Sequence, residues 1–128
     1  MQLLLDTHAF LWWIFNDSKL SKTANSLIAD NKNQCYVSHA SAWELAIKVG
    51  QGKLALGAPV GKLFSTFTAS NNFKMLDLNL NYLLAVEHLP LHHKDPFDRL
   101  LVAQAQAEKL AIVSADTALD AYDIERIW

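Results

Sequence analysis

The sequence predicts an α/β fold built on a mainly parallel sheet covered on both faces. Two observations carry that prediction. Short apolar runs alternate with longer segments of helical period over all 128 residues. Strand alternating with helix implies crossover connections, and crossovers make neighbouring strands parallel. Hydrophobic residues make up 52% of the chain, enough to cover both faces of such a sheet.

The elements follow in order. Leu3-Leu4-Leu5 reads as a short buried strand. Residues 8–15 read as a helix, and residues 22–30 as a second one capped by Ser21. Cys35-Tyr36-Val37 is strand two. Residues 40–49 form a helix ended by Gly50 and Gly52. Residues 60–70 are helical, and Lys74-Met75-Leu76 is a weak third strand. Residues 79–87 form a helix that stops before Pro90. Residues 96–109 carry the clearest helical pattern. Residues 111–114 form a strand, and residues 124–128 an edge strand. No linker, repeat or low-complexity stretch interrupts this order, and the length fits one domain over 1–128.

The formal net charge is -2, with both signs spread along the chain. A broad basic field for gripping nucleic acid is excluded, so any such contact must come from local cations or a bound metal ion. Cys35, the single cysteine, cannot form an internal disulfide and reads as an inert core thiol; a reducing, cytoplasmic setting fits. Residues 1–5 lack a basic leader and make a poor signal peptide. No apolar run approaches the roughly 18 residues that span a bilayer.

Ligands of parallel sheets bind beyond the carboxyl ends of the strands. Four acids are expected there. Asp6 follows strand one, and Asp116 comes just after the strand ending at Ser114. Glu44 lies in the second turn of the helix after strand two, and Asp98 in the first turn of the helix opened by Pro96. Asp95, one turn earlier, can join them. Four gathered carboxylates oppose one another's ionisation, and a divalent cation removes that cost. No Cys and His stand at zinc-like spacing, so carboxylates and water point to Mg²⁺ or Mn²⁺.

Each acid but Asp6 also has a structural reading. Asp95-Pro96-Phe97-Asp98 resembles a helix start, with Asp95 as cap and Asp98 as the acid of the first turn, and Asp116 a cap for a short helix over 117–122. Ser41-Ala42-Trp43-Glu44 fits a capping box, and Glu44 can pair with Lys48. Asp6 has no obvious cap or pair. Taken singly, the other three acids are as readily structural as functional; their joint placement is what the structural readings leave unexplained.

These same residues carry a family resemblance. Leu4-Leu5-Asp6-Thr7-His8 resembles the opening of PIN domains, and SHASAWELAIK (38–48) their second acidic segment. HHKDPFDRLLVAQA (92–105) is the most specific match, and Ser114-Ala115-Asp116 resembles the fourth element. In order and spacing the set is similar to the VapC-type toxins of bacterial toxin–antitoxin pairs. The resemblance implies a three-layer α/β/α sandwich and cleavage of single-stranded RNA to a 5′-phosphate and a 3′-hydroxyl. It implies Mg²⁺ or Mn²⁺ held by Asp6, Glu44, Asp98 and Asp116. Asp95 would cap and act at one remove from the ion, while Thr7 and Ser114 would orient carboxylates. Ser114 departs from the more common Thr, and His39 stands where a small residue is usual. The implied partners are RNA, a VapB-type antitoxin and a second copy of the chain, with the antitoxin's groove near Leu11, Trp12 and residues 52–56.

Other features are weighed beside this. His92, His93, Lys94 and Arg99 are candidates for phosphate contact, against a solvated loop with Arg99 paired to an acid. A metal role for His92 and His93 is disfavoured, because adjacent residues do not readily chelate one ion. Trp13 and Trp43 read as core, and Trp12 as a partner surface. The rival functions are a receiver-like phospho-acceptor module, with Asp77 as mimic acceptor, an aspartyl phosphatase, and a PIN fold used only for binding. The first wants an acidic pair after strand one, and the second a further acid at position 8, where His8 stands.

Overall fold

The structure is a computed structural model describing residues 1–128. Its five strands are β1 (Gln2–Leu5), β2 (Gln34–Ser38), β3 (Lys74–Leu76), β4 (Ala111–Val113) and β5 (Arg126–Ile127). All pair in parallel, in the order β3-β2-β1-β4-β5. Six α-helices complete the fold: α1 (Thr7–Ile14), α2 (Lys22–Ala29), α3 (His39–Gly50), α4 (Val60–Ser70), α5 (Leu80–Ala85) and α6 (Pro96–Glu108). The expected three-layer α/β/α sandwich with a mainly parallel central sheet is what forms. No helix is long and apolar enough to cross a membrane.

The period-two alternation of strand side chains sorts the core. Leu3 and Leu5, Cys35 and Val37, and Ala111 and Val113 face one side, where they meet Phe10 of α1, Ile28 of α2, Leu45 of α3 and Phe64 of α4. Leu4 and Ile112 face the other side and pack against Tyr82 of α5 and Leu100, Leu101 and Ala105 of α6. Phe10 and Phe64 stack at 4.8 Å between ring centroids. The three leucines of β1 have no exposed surface, because helices cover both faces. A wholly apolar run, rather than an alternating one, is what such a strand requires.

The helix ends are set locally. Ser21 caps α2 through Ala24 N–H, as expected. The capping box at Ser41–Glu44 does not form. α3 begins earlier, at His39, with Ser38 as cap accepting from Ala40 N–H at 3.0 Å. Ser38 also donates to Gln104 Oε1, whose amide in turn donates to the Asp77 carbonyl at 3.0 Å. This fully buried glutamine thereby ties α6 to the ends of β2 and β3. Residues 86–88 form a 3-10 turn before Pro90, which shortens the helix expected over 79–87.

The chain runs outward from β1 through β2 to β3, then returns to place β4 on the other side of β1. The strand order therefore reverses between β1 and β4, and that switch point, beyond the strands' carboxyl ends, is the crevice where ligands of parallel sheets bind. Asp6 lies at that point, with its backbone N–H donating to Val113 O at 3.1 Å.

Leu4→Ala should cost about 2–5 kcal/mol, since the strand is clamped between helices and the site cannot collapse. Urea unfolding followed by circular dichroism measures this.

Candidate active site

Each acid reaches the crevice from a different element. Asp6 leaves the end of β1 and caps α1, accepting from Ala9 N–H at 2.8 Å. It thus has the structural role that the sequence did not reveal. Ser114 also bonds its carboxylate. Burial nevertheless raises the Asp6 carboxyl above its ordinary range, against these hydrogen bonds and with Glu44 adding repulsion.

Glu44 sits on α3, 6% exposed. Thr7 Oγ1 donates to its Oε1 at 2.7 Å and lies 2.9 Å from Ser41 Oγ. Lys48, one turn on, holds the other oxygen at 2.7 Å. The expected Glu44–Lys48 pair is therefore present, and Thr7 steadies the same carboxylate.

Asp98 and Asp116 come together around His93. Asp98 lies in the first turn of α6, whose cap is Asp95, accepting from Phe97 and Asp98 N–H. Asp116 follows β4 and caps the 3-10 turn Thr117–Ala121 through Ala118 N–H at 3.0 Å. Its own N–H donates to Ser114 Oγ at 3.0 Å. Between the two carboxylates stands His93, with Nε2 2.7 Å from Asp116 Oδ2 and 3.3 Å from Asp98 Oδ2. Potential ligand atoms of His93, Asp98 and Asp116 fall within 4.8 Å of one another. Asp6 and Glu44 stand outside that group but close enough to act on it electrostatically.

The charge state follows from these surroundings. Burial, then the neighbouring Asp95, pushes Asp98 up to about 7, with smaller contributions from Asp6 and Glu44 and an opposing one from His93. At Asp116 burial also acts upward, but the hydrogen bonds from His93 and Ala118 and the charge of Arg126 outweigh it and hold the carboxyl below its ordinary range. The oxygens gathered here are hard donors of the kind that hold divalent cations, and a divalent charge would offset the burial and repulsion that lift Asp98.

The other expected residues are placed differently. Arg99 does not face the crevice for phosphate contact, nor does it pair with an acid. It is buried, and its guanidinium donates to the carbonyls of Pro90, Val86 and Leu89 and to the Tyr122 hydroxyl. The carbonyls it ties down lie nine to thirteen positions earlier in the chain, which is why its role is invisible in the sequence. Trp43, expected in the core, is 54% exposed and packs edge-on against Phe97 at 5.0 Å. Trp13 is half-buried with its indole donating to Asn71 Oδ1, and Trp12 packs on His8 and Trp128. His39 is exposed, and His92 packs on Tyr122. His93 is the residue that the sequence undervalued. Its position two residues before the Asp95 cap was the available signal.

A parallel α/β domain with acids assembled at its topological switch point is a class of architecture shared by many hydrolases and signalling modules. The chain belongs to the PIN domain family: that family's profile matches residues 3–125. Among solved structures, the fold is similar to VapBC2 from Rickettsia felis bound to a DNA fragment from its promoter. That match has a TM-score of 0.71 at 17% identity and covers 99% of this chain and 98% of the other. It is also similar to FitAcB from Neisseria gonorrhoeae, at TM-score 0.61 and 18% identity, covering 98% and 96%. No curated protein matches the chain.

Asp98→Asn should stabilise the ion-free protein at high pH. With its carboxyl raised to about 7, folded Asp98 keeps a proton that the unfolded chain has already released above pH 3.8. Stability contributed by this group is full below that value and is lost as pH rises toward about 7. The gain from Asn should be on the order of 1–3 kcal/mol at pH 8 and near zero at pH 4, measured by thermal melts in chelator.

Proposed function

We propose that this chain is an endoribonuclease that depends on Mg²⁺ or Mn²⁺, cuts single-stranded regions of RNA, and acts as the toxin of a toxin–antitoxin pair. The observation that carries this reading is the meeting of Asp98 and Asp116 at the β1/β4 crevice, with Asp6 and Glu44 acting on the same space. Membership of the PIN family and the fold shared with VapBC2 and FitAcB support it. A VapB-type antitoxin as partner, a homodimer, a single working domain over 1–128 and a cytoplasmic location belong to the same reading.

In this reading Asp6, Asp98 and Asp116 would hold the ion, directly or through water, and Glu44 would complete the charge or orient a water for attack. When bound, a hard divalent ion supplies an activated water and charge stabilisation at the phosphate. The chain's own residues prepare the place. Ser114 and Ala9 N–H fix Asp6, Thr7 fixes Glu44, and Ala118 N–H with His93 fixes Asp116. Lys48 neutralises Glu44 from a side chain that is 41% exposed, so it can turn toward a phosphate when RNA arrives. The net charge of -2 makes the ion the natural bridge between this acidic crevice and an RNA backbone.

The purified chain should cleave a single-stranded RNA with Mn²⁺ or Mg²⁺ and stop when EDTA is added. Asp6→Asn and Asp116→Asn should each lower the rate at least about 100-fold while melting cooperatively. Full activity in either folded variant, or in EDTA, overturns the assignment. Induction of the chain alone should arrest bacterial growth if it is a toxin. Binding of Mn²⁺ near pH 6.5 should release protons, because Asp98 titrates at about 7. Calorimetry in buffers of different ionisation enthalpy reads that release.

A further inference from the structure

His93 offers an apparent third ligand, since its Nε2 lies against both Asp98 and Asp116. The opposite ring nitrogen argues against that role. The backbone N–H of Asp95 points at His93 Nδ1 from 3.0 Å. A backbone N–H can only donate, so Nδ1 presents its lone pair, and the ring proton resides on Nε2. A protonated ring nitrogen has no lone pair to give an ion. Ligation through Nε2 would require an imidazolate or the loss of the Asp95 hydrogen bond.

The loop that carries His93 is fastened at several points. Its own N–H donates to the Tyr122 hydroxyl at 3.0 Å. Arg99 donates to the same hydroxyl at 3.1 Å and to Pro90 O at 2.8 Å. Asp95 is fixed as the cap of α6. The tautomer is thus set by the Asp95 backbone N–H, and the ring's position by the loop that Tyr122 and Arg99 fasten. The carboxylates still have room for an ion. Asp116 accepts from Ala118 N–H on Oδ1 and from His93 on Oδ2, which uses two of about four lone-pair sites.

We propose that His93 is a positioning residue and not a metal ligand: its Nε2–H donates to Asp116 and, at longer range, faces Asp98, setting the spacing at which the two carboxylates receive a hard divalent ion. This rests on the metal-dependent reading given above. An oxygen-only ligand set follows, one that gives Mn²⁺ no nitrogen donor through which to be favoured over Mg²⁺.

The test uses the full chain labelled with ¹⁵N-histidine, observed by NMR without and with saturating Mg²⁺, alongside calorimetry of Mg²⁺ and Mn²⁺ binding. His93 Nε2 should remain the protonated, pyrrole-type nitrogen in both states, and Nδ1 the unprotonated one. His93→Ala should weaken binding of both ions about 10–100-fold, the usual cost of losing a group that orients a ligand. His93→Gln places an amide N–H near the Nε2 position and should restore most of that loss. Loss of the Nε2 proton on adding Mg²⁺ overturns the proposal, even if His93→Ala fails to fold. So does wild-type affinity in His93→Ala, or a His93→Gln that stays as weak as Ala. These results leave the metal-dependent reading standing. A wild-type chain that binds neither ion removes that reading and this inference together.

Discussion

Leu3, Leu4 and Leu5 lie in the middle of the sheet with no exposed surface, hydrogen-bonded to β2 on one side and β4 on the other. Burial on both faces means the strand cannot slip by one residue without driving polar groups into the core. That constraint fixes where β1 ends, and therefore where Asp6 stands. It also fixes the switch point, because β2 and β4 leave β1 in opposite directions. The crevice is a consequence of the topology, and the acids that surround it come from four separate segments of chain.

Placing acids there opposes folding, and the structure offsets this locally at each position. Asp6 takes a helix N–H and a serine hydroxyl, Glu44 a threonine and a lysine, and Asp116 an imidazole and a backbone N–H. Structural and functional readings of these acids are therefore not alternatives. Asp6 and Asp116 cap helical turns and face the crevice at once. Capping orients one carboxylate oxygen inward to the backbone while lone pairs remain for a ligand. Asp98 differs: it faces the His93 ring at 3.3 Å beside the repelling Asp95. Burial and the neighbouring acids push its carboxyl up to about 7.

Most of the architecture was legible because local patterns are strong. The apolar runs became strands, Ser21 and Asp95 became caps, and Glu44 paired with Lys48. Errors arose where one residue type suits two neighbouring places. Ser38 and Ser41 are both credible caps, and only the packing of β2 against α6 through Gln104 selects Ser38. Trp43 has helical spacing with apolar neighbours, yet α3 turns it toward Phe97 and solvent. Arg99 reads as a surface cation until the fold wraps residues 86–90 around its guanidinium.

The sequence by itself determined the strand and helix order, the identity of the four acids, and their place beyond strand ends, because burial periodicity and capping act over a few residues. The tertiary structure decided which acids actually meet. Asp98 and Asp116 are 18 positions apart in the chain and are joined through His93, with Asp6 and Glu44 acting on Asp98 from outside that group. It also decided the tautomer of His93, since that depends on the single N–H of Asp95 pointing at one nitrogen. Such distances come from how α6 docks on the sheet, and no spacing along the chain encodes them.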